Sequence, residues 1–520
     1  MNDNSLLVSF GLYLAMLLVI GGVAYRLSNT LSDYVLGGRR LGAWVVAISS
    51  QASDMSGWLL IGVPGELIKN GVSMVWTAIG CVLGNFFNWG FLARRLRRYS
   101  EILEAITVPD FLASRYHGQA EKTIRVICLF VVVLFYIIYI GAQFKAAGKT
   151  LESTFDISYH NALVLSAVVI ILYTMMGGFF AVSWTDLIQG MIMVFVVVIL
   201  PVLGIIHLGG IDPVIGALAD KSPDLVKVSR GFSGWDLFGA LILGGLAWGL
   251  GYPGMPHITV RYMSIRDDRD IKKSALISIV WVTLALWGSM AVGAVGLAEL
   301  GDSIKDPEKV LPMMANLHLP GWLAGVVIAA IAAAIMSTVD SQILVLSSAV
   351  VEDFYRKLLH SEAPQRLYII IGRMVTLAIG VFAVIICWNS ERGVFGFVMD
   401  AWSGLAAAFG PALIMSLRWK RTTGWGVAAG MASGVATVLV WRNLDATKDL
   451  IWELFPGFIV AMLMIIIVSK LTPRPGAKAM AEYELAADRD SRISDEEGKL
   501  ISFEKQQVYM DTLRREGGLE

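Results

Sequence analysis

Residues 47–68 read AISSQASDMSGWLLIGVPGELI, an apolar run broken halfway by serines, Gln51, Asp54 and Gly57. Residues 241–260, LILGGLAWGLGYPGMPHITV, are broken in the same way by glycines, Pro253 and Pro256. Glycine relaxes the chain and proline removes a backbone donor, so both segments are expected as broken helices. Freed backbone at membrane depth persists only where protein, ligand, ion or water takes up its polar groups. Two kinked structural helices would meet that condition too. A matched pair of interrupted spans is nonetheless the best pointer in a sequence to a solute site between repeats.

The rest of the chain supports a membrane setting. Its 520 residues are 56% hydrophobic and 16% charged, and mean hydropathy is +0.66; that apolar excess must face lipid. Runs able to cross ~30 Å of hydrocarbon occur at 5–25, 42–68, 71–93, 124–148, 162–181, 184–206, 233–260, 274–298, 320–350, 368–389, 394–416, 424–441 and 450–469. The fold class expected is an all-α integral membrane protein of about thirteen transmembrane helices.

Net charge is +0 and gives no sign of a nucleic-acid partner. Its distribution says more. Arg26, Arg39 and Arg40 follow the first span, Arg94, Arg95, Arg97 and Arg98 the third, and Arg261, Arg266, Lys272 and Lys273 the seventh. Basic loops stay cytoplasmic, which predicts a multi-pass protein of the cell membrane with its N-terminus outside and its C-terminus inside. Cys81, Cys128 and Cys387 fall within spans as small packers, with neither disulfide nor metal spacing. The start, Met1-Asn2-Asp3-Asn4, has no basic n-region, so the first run reads as a retained helix. No GxSxG, Walker loop, HExxH or CxxC occurs, which removes the common catalytic and ATP-driven classes. The six histidines form no cluster along the chain, and His257 is expected as a packing residue.

The two broken spans start five spans apart, an odd offset that gives two five-span units opposite orientation. The boundaries expected are a first helix and cytoplasmic loop at 1–41, repeat one at 42–206, repeat two at 233–416, two further spans at 417–470 and a cytoplasmic tail at 471–520. No obligate protein partner is evident; the lipid bilayer and a small solute are the partners expected.

Residues 328–348, IAAIAAAIMSTVDSQILVLSS, place Ser337, Asp340 and Ser341 on one helical face with Thr338 on its shoulder. A lone serine would bond back to the preceding turn. Three hydroxyls beside a carboxylate suit a hard cation better. A carboxylate at helix centre costs ~2.5–3.5 kcal/mol, which makes Asp54, Asp186, Asp340 and Asp400 candidates for function or pairing. Asp186 and Asp400 also have a plainer option, a place near the surface at a helix start. Trp248, Tyr252 and His257 flank the second break and are able to wall a pocket, although most tryptophans in such chains serve the interfacial belt.

Several stretches then resemble the sodium:solute symporter family, in that family's order: residues 36–65, 177–189 (GGFFAVSWTDLIQ), 248–264, 332–355 (AAAIMSTVDSQILVLSSAVVEDFY) and 401–411. ASDMSGW is particularly similar to the sodium/proline symporters of the family. The resemblance implies a LeuT-type five-plus-five inverted repeat driven by a Na⁺ gradient. It implies a sodium site from the backbone oxygens of Ala52, Met55 and Ala334 and the hydroxyls of Ser337 and Thr338, with Asp54 as the aspartate that coupling requires. A second sodium, present in some members, would fall at Asp186, Ser337, Asp340 and Ser341. The implied proline pocket is Ser56, Gly57, Trp58, Tyr139, Trp248, Tyr252 and Pro256. Pro253 and Met255 depart from the family's usual residues, which leaves the solute open between L-proline and another small zwitterion or carboxylate.

Overall fold

The computed structural model describes residues 4–25, 36–175, 179–359, 364–447 and 450–487. Arg26 of the first basic loop, Gly177 and Gly178 of the span-six motif, and the tail from 488 onward lie outside the described residues. Among the described residues every regular element is a helix, and the one extended pairing is a single bridge between Leu41 and Ile265. Helices satisfy their own backbone polar groups, which is what hydrocarbon demands.

In chain order the elements are α1 (Asn4–Tyr25), α2 (Ala43–Asp54), α3 (58–70), α4 (75–102), α5 (Val108–Ser114), α6 (Glu121–Phe155), α7 (Tyr159–Thr174), α8 (Phe179–His207), α9 (Asp212–Lys221), α10 (Asp236–Gly254), α11 (Pro256–Ser264), α12 (Asp270–Leu300), α13 (Val310–His318), α14 (Gly321–Ser348), α15 (Gln365–Cys387), α16 (Val394–Arg418), α17 (Gly424–Asn443), α18 (Leu454–Leu471) and α19 (Ala477–Ala487). Among the described residues, ten helices are long and apolar enough to cross a membrane. The shorter apolar helices Ser5–Leu17 and Tyr159–Thr174 accompany them. Ten is fewer than the thirteen expected for two reasons: those helices are short, and Trp58–Ile102 joins half of one span to the next through a tight turn at Gly71, φ 64°.

Both expected breaks are present, and each falls at a methionine. α2 ends at Asp54, Met55 leaves helical geometry at φ −81°, ψ 80°, and the chain resumes as α3. α10 ends at Gly254, Met255 sits at φ −101°, ψ 100°, and α11 opens on Pro256. A proline at a first helical position has no intrahelical donor to lose, so the restart costs little.

The breaks lie in the interior because of what surrounds them. In α16 89% of the apolar window is buried and in α14 78%, against 28% for the lipid-facing α15. α14 packs on α2, α6 and α8, and α16 packs on α6 and the end of α10. α4 and α10 cross through glycine: a Cβ on Gly84 would stand 2.4 Å from Gly249 Cα, and one on Gly249 2.4 Å from the Gly80 carbonyl oxygen. Small residues let backbones approach this closely, and the approach sets the depth of Trp248 and Tyr252.

The segments between the expected spans at 94–123, 207–232 and 299–319 hold helices of their own, namely the end of α4 with α5, then α9, then α13. Thr107 caps α5 by accepting from the Asp110 amide at 3.0 Å. Asp110 and Asp353 then share Arg125 at 3.0 and 2.9 Å, and Lys357 reaches Asp110 at 2.6 Å. Burial alone would raise the Asp110 carboxyl, but Lys357 and Arg125 outweigh it and hold it below the usual carboxylate range. α19, from the opening of the tail, docks on the same side: Arg115 donates to the Ala479 carbonyl at 3.1 Å and lies over the Tyr483 ring.

Candidate functional site

Where α2 breaks, α14 passes behind it. The Ser337 hydroxyl lies 2.7 Å from the Ala52 carbonyl and 3.1 Å from that of Ala334. The Thr338 hydroxyl lies 2.9 Å from the Ser53 carbonyl and 3.2 Å from that of Ala334. Three carbonyls and two hydroxyls thus converge in a fully buried cradle joining two helices. A hydroxyl keeps lone pairs for a cation when its single proton turns away. All five donors are hard oxygens, suited to a small alkali ion and not to a soft metal. Ala52, Ala334, Ser337 and Thr338 were expected here; Met55 supplies the break itself. The Ser53 carbonyl was not expected. Backbone oxygens carry no mark in a sequence.

The residues expected around a second ion are divided. Asp186 is not near the surface but fully buried in α8. Its Oδ2 accepts from Ser49 at 2.7 Å, from Ser53 at 3.1 Å and from the Arg261 guanidinium at 3.0 Å. Arg261 also donates to Ser341 at 2.6 Å and to Ser49 at 2.8 Å. Asp340 instead accepts from Thr174 on α7, and Ser337 belongs to the cradle. Arg261, counted in the sequence with the basic loop after span seven, is therefore an interior residue, 1% exposed in its side chain. Its long side chain turns back along α11 and donates to the His257 carbonyl one turn earlier, a course that charge counting does not register. Asp400 is paired with Arg392 and Arg442, the structural option for that residue.

The pocket residues meet on the other side of the breaks. Trp58 and Trp248 pack as a tilted pair at 4.8 Å between ring centroids, and Trp248 also packs on Phe395, Trp402 and Trp452 at 5.2–5.4 Å. Trp248 is thus not an interfacial-belt residue. Tyr252 meets the edge of Trp402 at 5.3 Å, and the Trp58 indole donates to the Asp54 carbonyl oxygen at 2.9 Å. The Gly57 amide donates to the Gln143 side chain at 3.0 Å, one helical turn along α6 from Tyr139. Among the described residues, no hydrogen-bond partner reaches either carboxylate oxygen of Asp54, the hydroxyls of Tyr139 and Tyr252, the Trp248 indole N–H or the Gln143 amide nitrogen. Buried polar atoms are nearly always paired, so these unpaired groups make this the candidate solute site. Pro256 stands apart from the aromatic set. It lines a narrow recess, together with Thr107, Arg261, Ser341 and Ser348, on the side of the Asp110 network.

The family model described as sodium:solute symporter family matches residues 34–434. The chain belongs to that family. The symporter is similar to the osmoregulated proline transporter OpuE of Bacillus subtilis (strain 168), at 39% identity over 485 residues, 92% of this chain and 97% of the relative. It is similar to the sodium/proline symporter of Escherichia coli (strain K12), at 39% identity over 489 residues, 92% of this chain and 96% of the relative. Among solved structures, a Na⁺-coupled sialic acid symporter in a substrate-bound, outward-open state matches with a TM-score of 0.76 at 18% identity, over 91% of this chain and 99% of the other. That likeness shows the shared LeuT-type fold.

Gly57 in this symporter sits where no side chain fits. A Cβ would stand 2.7 Å from Ala146 Cβ and 3.1 Å from the Gln143 side-chain oxygen. Gly57→Ala is expected to disfavour this packing of α3 against α6 by ~1–3 kcal/mol. That corresponds to a ~5- to 150-fold population shift. The check is the maximal rate of solute uptake at matched membrane expression; a rate equal to wild type would refute the close fit.

Proposed function

We propose that the chain imports L-proline, or a closely related small amino acid, together with Na⁺ by alternating access across the cell membrane. The observation that carries this is the five-oxygen cradle at the α2 break, set beside a buried group of polar atoms without partners. The names of relatives at 39% identity support proline as the solute. In this reading Ala52, Met55, Ala334, Ser337 and Thr338 hold the ion, with the Ser53 carbonyl added. Asp54 couples it to a solute held among Ser56, Gly57, Trp58, Tyr139, Trp248 and Tyr252, with Pro256 at the pocket's inner edge.

The ion draws α14 onto α2, because its ligands come from both. It takes over carbonyls that otherwise accept from Ser337 and Thr338, so binding exchanges hydroxyl contacts for ion contacts inside one cradle. The solute carboxylate competes with Gln143 for the Gly57 amide near the start of α3, where helical N–H groups favour an anion. The solute's apolar ring lies against Trp58 and Trp248. Each ligand drives transport only as far as it prefers one state over the other. The recess beneath Pro256 is the inward exit. It follows the orientation set by the basic loops, N-terminus outside and C-terminus cytoplasmic. Residues 42–206 and 233–416 are the two inverted repeats that rock about this site, with 1–41 before them and 417–470 and the tail from 471 after.

Radiolabelled proline uptake into proteoliposomes tests the proposal. Accumulation is expected with an inward Na⁺ gradient and not with a pH gradient alone. Proline uptake indifferent to Na⁺ would end the Na⁺-coupled reading. Na⁺-driven uptake of a different zwitterion or carboxylate, with proline inert, would keep the ion and reassign the solute; Pro253 and Met255, both buried at the second break, are where such a difference would originate.

A further inference from the structure

Two of the six histidines, 111 positions apart and unremarkable in the sequence, meet at one end of the helix bundle. His207 closes α8, Glu299 stands one residue before the end of α12, and His318 closes α13. One ligand atom from each lies within 4.8 Å of the others. His207 Nδ1 is 3.4 Å from one Glu299 oxygen, His318 Nε2 is hydrogen-bonded to the other, and the two imidazoles meet edge to face at 5.0 Å. We propose that His207, Glu299 and His318 form a binding site for a divalent transition metal of the Zn²⁺ class, which ties α13 to the ends of α8 and α12.

The geometry suits such an ion. With metal–nitrogen and metal–oxygen bonds of ~2.1 Å, tetrahedral ligands stand ~3.4 Å apart, which the His207–Glu299 separation already matches. Glu299 is 2% exposed in its side chain and His318 10%, whereas His207 is 66% exposed. Two ligands are therefore held by packing, and the third swings in from solvent. A fourth position remains toward water, the arrangement of an open zinc site. The carboxylate bridges both histidines before any metal arrives, so it both aligns the rings and supplies the charge.

Ligand chemistry defines the class. Two imidazoles and one carboxylate suit Zn²⁺, Ni²⁺ and Cu²⁺, whereas Mg²⁺ and Ca²⁺ require oxygen ligands. The site shares no residue with the alkali-ion cradle. It lies at the mouth of the loops after α8 and α12, the face that the proposed orientation puts outside. A metal there adds a bond to the packing of α13 on α6, α8, α12 and α14.

The probe is ZnCl₂ added to the full chain in lipid nanodiscs, with bound metal counted per chain and Tm followed. Saturable binding of one Zn²⁺ per chain is expected, with a rise in Tm that EDTA reverses and that Mg²⁺ at equal concentration does not produce. His207→Ala and His318→Ala are each expected to weaken binding at least ten-fold. His207 is exposed, so its removal leaves packing intact and the first variant remains interpretable if the second fails to fold. Zinc binding unchanged in His207→Ala, an equal response to Mg²⁺, or no more metal bound to the wild type than to a variant carrying both His207→Ala and His318→Ala would each overturn the site. None of these readouts depends on Na⁺ or proline, so the metal site and the transport reading fail separately.

Discussion

Replacing Ser337 by alanine is expected to raise the Na⁺ concentration for half-maximal uptake by one to two orders of magnitude while leaving the ion-free protein nearly as stable as wild type. The two effects differ because the hydroxyl does two jobs. Without an ion it donates to the Ala52 or Ala334 carbonyl, an ordinary hydrogen bond worth ~0.5–1.5 kcal/mol net. With an ion it becomes a ligand to full charge, a contact worth ~1.5–3 kcal/mol, or roughly a 10- to 150-fold change in affinity. Thr338→Ala is expected to act alike through Ser53 and Ala334, and Thr338→Ser, which keeps the oxygen, to behave as wild type. Both substitutions together should abolish Na⁺ stimulation. Uptake measured across a Na⁺ titration, with Tm recorded in Na⁺-free buffer, checks all of these. A loss of Tm as large as the loss of Na⁺ response would make the hydroxyls structural only.

The second large effect concerns Arg261 and Asp186. Arg261→Met is expected to destabilise the protein by ~3–5 kcal/mol, because it leaves the Asp186 carboxylate buried with only Ser49 and Ser53 hydroxyls to solvate it. Asp186→Asn is expected to be similarly harmful in the opposite sense, leaving the guanidinium with only the Ser341 and Ser49 hydroxyls and the His257 carbonyl and no counter-charge. The pair Asp186→Asn with Arg261→Met removes both charges at once and is expected to recover much of the loss, since breaking a buried pair costs more than replacing it. The measurement is Tm and the folded fraction in detergent for the two single variants and the double. Strict additivity of the two losses would show that the residues do not act as a pair. The pair also joins α2, α8, α11 and α14 at one point, so the single variants are expected to lower uptake even where folded protein remains.

How much of this was legible in the sequence depended on whether the signal was local. The two breaks were readable because glycine, proline and polar residues interrupt an apolar run in only two matching places, and each interruption has one physical consequence at membrane depth. Ser337 and Thr338 were readable because helical periodicity puts them on one face with Asp340 and Ser341. Asp186 was legible as a costly carboxylate but not as a buried one, because its partner lies 75 positions away on α11. Arg261 was misplaced for a related reason: charge counting assigns an arginine to the loop it precedes, whereas a long side chain can turn back into the bundle. The aromatic set around Trp248 was half visible, with Phe395, Trp402 and Trp452 joining it only through the packing of α16 and the chain beyond it.

The sequence by itself determined that this chain is helical, membrane-spanning, interrupted in two matching spans and built for a small solute and a hard cation. Those properties follow from composition, periodicity and backbone chemistry, which act within one span at a time. The tertiary structure alone decided which oxygens share a cradle, that Arg261 lies between Asp186 and Ser341, and that His207 and His318 meet on Glu299. Carbonyls are identical in every residue, and helix ends find their neighbours only when the bundle closes, so contacts between distant spans are decided by packing.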